Sequence, residues 1–208
     1  MGKFLQLFKQ TITYGIATVF PRIISVILVR VHTDKSVINE VSEFGTLSLI
    51  FSYIILFNVI LSYGLETSFF RFYNKEKNKK DVLNTAAVSI LVSSFLFASI
   101  FSIFKINISN FTGISTGYLS IIVWILVVDA LTVIPFAYLR LKGSAIKYSV
   151  VKIVNVIIYF SLNIFLLIFL KDLIYSYEIF ESIYVENYEV AYIFIANLIA
   201  SISSLLLL

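Results

Sequence analysis

The sequence predicts an all-α membrane protein, a bundle of six transmembrane helices, and three observations carry that expectation. The chain of 208 residues is 60% hydrophobic and 13% charged, with a mean hydropathy of +0.97, whereas water-soluble domains have about 45–50% apolar and about 25% charged residues. A water-soluble fold of this size has too much surface for its volume to hide that apolar excess, so lipid is the solvent left. Six stretches, about 11–31, 45–69, 82–104, 118–139, 148–170 and 190–208, approach the ~20 apolar residues needed to cross a bilayer core of ~30 Å. Finally, the basic residues between those stretches alternate from one side to the other.

Each element follows in turn. The first stretch begins with a basic start like that of a signal peptide, but Pro21 and Arg22 interrupt its apolar run and no small-residue cleavage site follows, so it is read as a retained helix. The tail carries Lys3 and Lys9, and the first loop only Lys35 against Asp34, Glu40 and Glu43. The second loop carries Arg71, Lys75, Lys77, Lys79 and Lys80; the third carries Lys105; the fourth carries Arg140, Lys142 and Lys147. The fifth has Lys171 among Asp172, Glu178, Glu181, Glu186 and Glu189. The tail with the second and fourth loops holds ten basic residues and the odd-numbered loops three. Positive charge is retained in the cytoplasm during insertion, which predicts a cytoplasmic N-terminus and supports six spans independently of hydropathy. The run from Lys75 to Lys80 reads as a topology anchor or as a surface for anionic lipid headgroups. The last stretch runs apolar to Leu208 with no flanking basic anchor, which suggests either a chain that stops in the membrane or the first part of a longer one.

Polar residues inside the spans are the candidates for function. Arg22 and Asp129 each lie about 16 Å into a span, near the midplane, where a charge costs roughly 2.5–3.5 kcal/mol and needs compensation from a partner or from water. Stripes at helical spacing suggest a shared wet interior: Thr11, Gly15, Thr18, Arg22 and Ser25; Ser48, Ser52, Asn58, Ser62 and Glu66; Lys152, Asn155, Tyr159 and Asn163. Against that, membrane serines often bond their own backbone, Lys152 and Arg140 can snorkel to the interface, and a buried ion pair would account for Arg22 and Asp129 structurally. Pro21 and Pro135 loosen helices beside the two charges.

Several classes find no support. With no cysteine and one histidine, His32, thiolate sites and histidine clusters are excluded, and no metal is expected. No phosphate-binding GxxxxGK[ST] loop, HExxH or glycine-rich selectivity filter occurs, so neither an enzyme nor a selective pore is expected, and a net charge of +4 does not point to nucleic acid.

The run Tyr63-Gly64-Leu65-Glu66-Thr67-Ser68-Phe69-Phe70-Arg71-Phe72 resembles a segment of bacterial polysaccharide biosynthesis proteins, the O-antigen and capsule repeat-unit flippases of the multidrug/oligosaccharidyl-lipid/polysaccharide exporter superfamily. Phe8-Lys9-Gln10-Thr11 with Tyr14-Gly15 and Pro21-Arg22, Glu43-Phe44-Gly45, Asp129-Ala130-Leu131 through Ile134-Pro135-Phe136-Ala137 to Leu139-Arg140, and Lys152, Asn155 and Leu162-Asn163 are similar to other segments of that family. The resemblance spans essentially the whole chain. It implies a single six-helix lobe over 1–208, the N-terminal half of a V-shaped transporter whose second lobe would lie elsewhere, in this gene product or a partner chain. It further implies the bacterial inner membrane and a polyprenyl-diphosphate-linked oligosaccharide as substrate, carried from the cytoplasmic to the outer leaflet. Arg22 would hold the diphosphate, and Asn155, Tyr159 and Asn163 the sugars. Asp129 would carry a coupling H+ or Na+, and Glu66 with Arg71 would form an inner-face ion pair. A drug or lipid exporter of the same fold and a non-transporting membrane fragment are the alternatives.

Overall fold

A computed structural model describes residues 2–34, 37, 41–170, 173, 184–185 and 188–208. The loop charges Lys35, Glu40, Lys171, Asp172, Glu178, Glu181 and Glu186 lie outside the described residues, and so do parts of both acidic loops. The described chain is helical: α1 (Gly2–His32), α2 (Val41–Ser62), α3 (Leu65–Lys75), α4 (Lys79–Thr112), α5 (Thr116–Leu141), α6 (Ala145–Ile164) and α7 (Glu189–Leu207), with a π-helical turn Phe165–Phe169 continuing α6. Six segments are long and apolar enough to cross a membrane: Leu7–His32, Ser42–Lys75, Lys79–Thr112, Thr116–Leu141, Ala145–Phe169 and Glu189–Leu207.

Burial sorts the helices into a centre and a rim. Half of the apolar window of α5 and of α7 is buried, against 11% of that of α1. α5 packs on α4, α7 and α2, α6 packs on α7 and α1, and α1 touches the bundle through α6. Ile125, Leu126 and Ala137 of α5 and Ile193 and Phe194 of α7 are fully enclosed. Outward positions are large and apolar, such as Val26 (72% exposed) and Ile103 (75% exposed), an arrangement stable only where the surroundings are as apolar as the side chains.

The stretch expected as one helix over about 45–69 is two. Tyr63 (φ 31°) and Gly64 (φ 67°) both enter the left-handed region, which stops α2, and α3 starts at Leu65. α3 turns Phe69 and Tyr73 onto α4 and α5 and leaves Arg71 exposed. At the other end, Gly113 (φ 73°) caps α4, and the Ser115 hydroxyl accepts the Tyr118 N–H to begin α5. Pro21 and Pro135 lie inside continuous helices.

α1 corrects the expectation for its polar stripe. Thr11, Gly15, Thr18, Arg22 and Ser25 are all exposed, while Tyr14, Ala17, Leu28 and His32 form the face turned toward α6. The hydroxyls explain this. Thr11 donates to Leu7 O, Thr18 to Tyr14 O and Ser25 to Pro21 O, so they are satisfied by their own helix and do not require an inward orientation.

Candidate functional site

One polar cleft of about 680 Å³ opens between α2, α3, α5, α6 and α7. Its floor centres on Asp129, twelve residues before the end of α5, which is about 18 Å along the axis from the basic end of the bundle. The Asn58 amide of α2 donates to Asp129 Oδ2 at 3.1 Å, and the Ser201 hydroxyl of α7 donates to Oδ1 at 2.6 Å. Three helices thus converge on one carboxylate. Beside them the Asn155 amide of α6 donates to the Ser204 hydroxyl at 2.8 Å. Each carboxyl oxygen thus has one neutral donor, the compensation a buried acid needs.

The mouth of the cleft has the opposite sign. Glu66 of α3 pairs with Arg140 at the end of α5. The Arg140 guanidinium also sits over the rings of Phe70 and Tyr148, 5.7 Å from each centroid. The Lys152 ammonium lies 4.4 Å from the centroid of Phe136, and Phe136 meets Tyr148 edge to face at 5.2 Å. The cleft therefore grades from a cationic, aromatic mouth to a floor of amides, hydroxyls and one carboxylate.

The expected site residues divide between this cleft and other surfaces. Asp129, Glu66 and Asn155 line it. Arg71 is not the partner of Glu66: five positions apart on one helix they point about 140° away from each other, and Arg140 fills the role instead. Arg22 is exposed on α1 and makes no ion pair among the described residues, so the pairing of Arg22 with Asp129 is not formed. Asn163 is fully buried; its Oδ1 faces His32 Nε2 at 2.9 Å, and its amide donates to the Tyr159 carbonyl at 2.8 Å. This polar knot fastens α1 to α6, and Tyr159 packs beside the core rather than into the cleft.

Sequence reasoning passed over α7. Asn197, Ser201 and Ser204 line the cleft at spacings of four and three, a stripe of the same kind as those read elsewhere. Lys152 and Arg140, read as snorkelling to the interface, line the cleft. No family model, curated protein or solved structure matches the chain.

Proposed function

We propose that the chain is a transport lobe that carries a sugar-bearing, diphosphate-linked lipid across the bacterial inner membrane, from the cytoplasmic to the outer leaflet. The observation that carries this reading is the polar cleft between membrane-length helices, lined by five elements and with an ion pair at its mouth. Such a cleft hydrates a polar head while the lipid tail stays in the bilayer. Amides and hydroxyls at Asn58, Asn155, Asn197 and Ser204 match the donors and acceptors of sugars, and Tyr148 and Phe136 offer ring faces. The resemblance to repeat-unit flippases points to the same substrate class.

In this reading the fold is one lobe of a multidrug-exporter-like transporter. The exposed Arg22 face of α1 borders the wider route opposite a second lobe, because an Arg left against lipid costs roughly 2.5–3.5 kcal/mol. Arg22 then meets the diphosphate beyond the cleft, and the amide of Asn163 and the ring of Tyr159 support α6 rather than touch sugar. Asp129 binds the coupling H+ or Na+ and biases one lobe arrangement over another, which requires that the ion bind the two arrangements unequally.

Deleting the gene in its host is expected to remove surface polysaccharide and to build up lipid-linked oligosaccharide in the inner leaflet. Returning the gene restores export, while Asp129→Asn and Arg22→Gln each lower it by about tenfold or more, the scale of one charge-assisted contact. Unchanged surface polysaccharide in the deletion strain, or full export by both variants, refutes the reading.

A further inference from the structure

We propose that the wedge between the start of α1 and the α5–α6 turn is a site for the head of an anionic glycerophospholipid, with Lys9 and Lys147 as its counter-charges. The inference needs only that the helices cross a membrane; it stands apart from the central cleft and from whatever that cleft carries.

The wedge is an open cavity of about 790 Å³ at the basic end of the bundle. Two hydrogen bonds join its walls: the Ser149 hydroxyl donates to the Thr13 carbonyl at 2.9 Å, and the Gln10 amide donates to the Gly143 carbonyl at 3.4 Å. Lys9 comes from the α1 wall and Lys147 from the α6 wall. Neither stretch of chain that builds these walls, 1–33 or 130–171, contains an acidic residue. Two like charges therefore line one cavity that has no carboxylate, and among the described residues neither lysine forms an ion pair. Lys147 gives one N–H to the Leu208 backbone oxygen at 3.0 Å, which leaves two of its three donors. The missing counter-charge has to come from outside these helices.

The rest of the lining selects among anions. Leu5 and Ile12 of α1 and Ile146 of α6 line the same cavity and are exposed, Ile146 by 75%. Ile12 lies about 4.5 Å further along α1 than Lys9, toward the membrane interior. A soluble anion gains nothing from such a wall. A phospholipid sets its phosphate between the lysines and its chains against the apolar side chains, and basic pockets between helices on the cytoplasmic side take anionic heads in this way. Retention of basic loops is expected to put this end in the cytoplasmic leaflet, where anionic lipids are concentrated. On α1, Lys9 is turned about 140° from Arg22, so a lipid in the wedge leaves the Arg22 face clear.

The test makes the wedge report on its own lipid. The chain has one tryptophan, so Trp124→Phe with Ile146→Trp puts the single indole at the site. The purified chain is reconstituted in equimolar vesicles of phosphatidylglycerol and phosphatidylcholine, one or the other with brominated chains, and the quenching gives the relative affinity of the two lipids there. Phosphatidylglycerol is expected to be favoured about tenfold or more, since each lysine near the surface contributes roughly fivefold. Lys9→Gln with Lys147→Gln removes the preference while brominated phosphatidylcholine still quenches, which shows a folded chain whose wedge still faces lipid. Lys9→Arg with Lys147→Arg keeps the preference. Lys77→Gln with Lys80→Gln removes the same charge from the same end and leaves the preference intact, and Phe111→Trp in place of Ile146→Trp, exposed at the opposite end, finds none. A preference below about threefold, its survival in Lys9→Gln with Lys147→Gln, or its loss in Lys77→Gln with Lys80→Gln overturns the site. Abolition by free glycerol 3-phosphate also overturns it, because the occupant would then be a soluble anion rather than a lipid.

Discussion

Asn163 and Ser94 are both fully buried polar side chains on membrane helices, and they have opposite consequences. Asn163 is bonded at both ends, to His32 and to the Tyr159 carbonyl. Removing it strands the histidine in an apolar seam, so Asn163→Ala is expected to destabilise the bundle by about 1–3 kcal/mol. Thermal unfolding in a mild detergent measures this, and His32→Leu combined with Asn163→Leu should recover much of the loss, because then neither group is left without its partner. Ser94 is the reverse case: among the described residues its hydroxyl is buried with no hydrogen-bond partner. Ser94→Ala removes an unsatisfied group with little change in shape, so the same assay should find unchanged or raised stability; a loss of more than about 1 kcal/mol would mean that the hydroxyl has a use the geometry does not reveal. The sequence offered Asn163 as the end of a polar stripe and His32 as the single histidine. Their meeting depends on how α1 lies along α6, over a separation of 131 positions that helical periodicity cannot bridge.

At the level of elements, α3 is the piece the hydropathy profile hid. Its first residues read as the end of the second span, and the break at Tyr63 and Gly64 is a matter of backbone angle, which hydropathy does not register. Once the chain turns there, Glu66 faces Arg140 across the mouth and Arg71 faces out. The pair is about one-third exposed, so its contribution to global stability is small, about 0–1 kcal/mol. Its larger effect is on how often α3 leaves the bundle. Glu66→Gln and Arg140→Gln are each expected to speed amide hydrogen exchange over 65–75 several-fold while leaving α5 and α7 unchanged, and Arg71→Gln is expected to change nothing. The charge-swapped double variant Glu66→Arg with Arg140→Glu should return the slow exchange; if it does not, the pair is not what holds α3. The stripes teach a similar lesson. Those read on the second and fifth spans contribute Asn58, Ser62, Glu66, Lys152 and Asn155 to the cleft, whereas the stripe on α1 faces outward. Periodicity tells which polar residues share a face. It does not tell which way the face turns when hydroxyls are satisfied by their own helix.

For the whole molecule, the six spans were legible because two separate physical demands write them into the chain: apolar length for the bilayer core, and basic residues on the side that is not translocated. Helix ends were less legible, since α4 runs over Lys79–Thr112 and α1 from Gly2, well past the apolar cores. A helix continues into the interface as long as its residues tolerate it, so apolar length sets only a minimum. The order of packing, with α5 and α7 central and α1 outermost, was not legible, because the apolar windows of all six are similar. The charge pattern leads to a prediction for the orientation of the entire bundle. The turns that hold Lys75 to Lys80 and Arg140 to Lys147 lie at one end, and the α4–α5 turn at Gly113 lies at the other. If retention of basic loops governs insertion, the first end is cytoplasmic. The chain has no cysteine, so single substitutions report without background. Lys77 and Asn110 are both exposed and stand at opposite ends. In intact cells, Asn110→Cys should react with a membrane-impermeant maleimide, and Lys77→Cys should react only after the membrane is opened. Because orientation follows the sum of the basic residues rather than any one of them, Lys77→Cys itself should not disturb it, whereas neutralising Lys75, Lys77, Lys79 and Lys80 together should yield a mixed population in which both positions label in part. The reverse pattern in the single variants would invert the bundle.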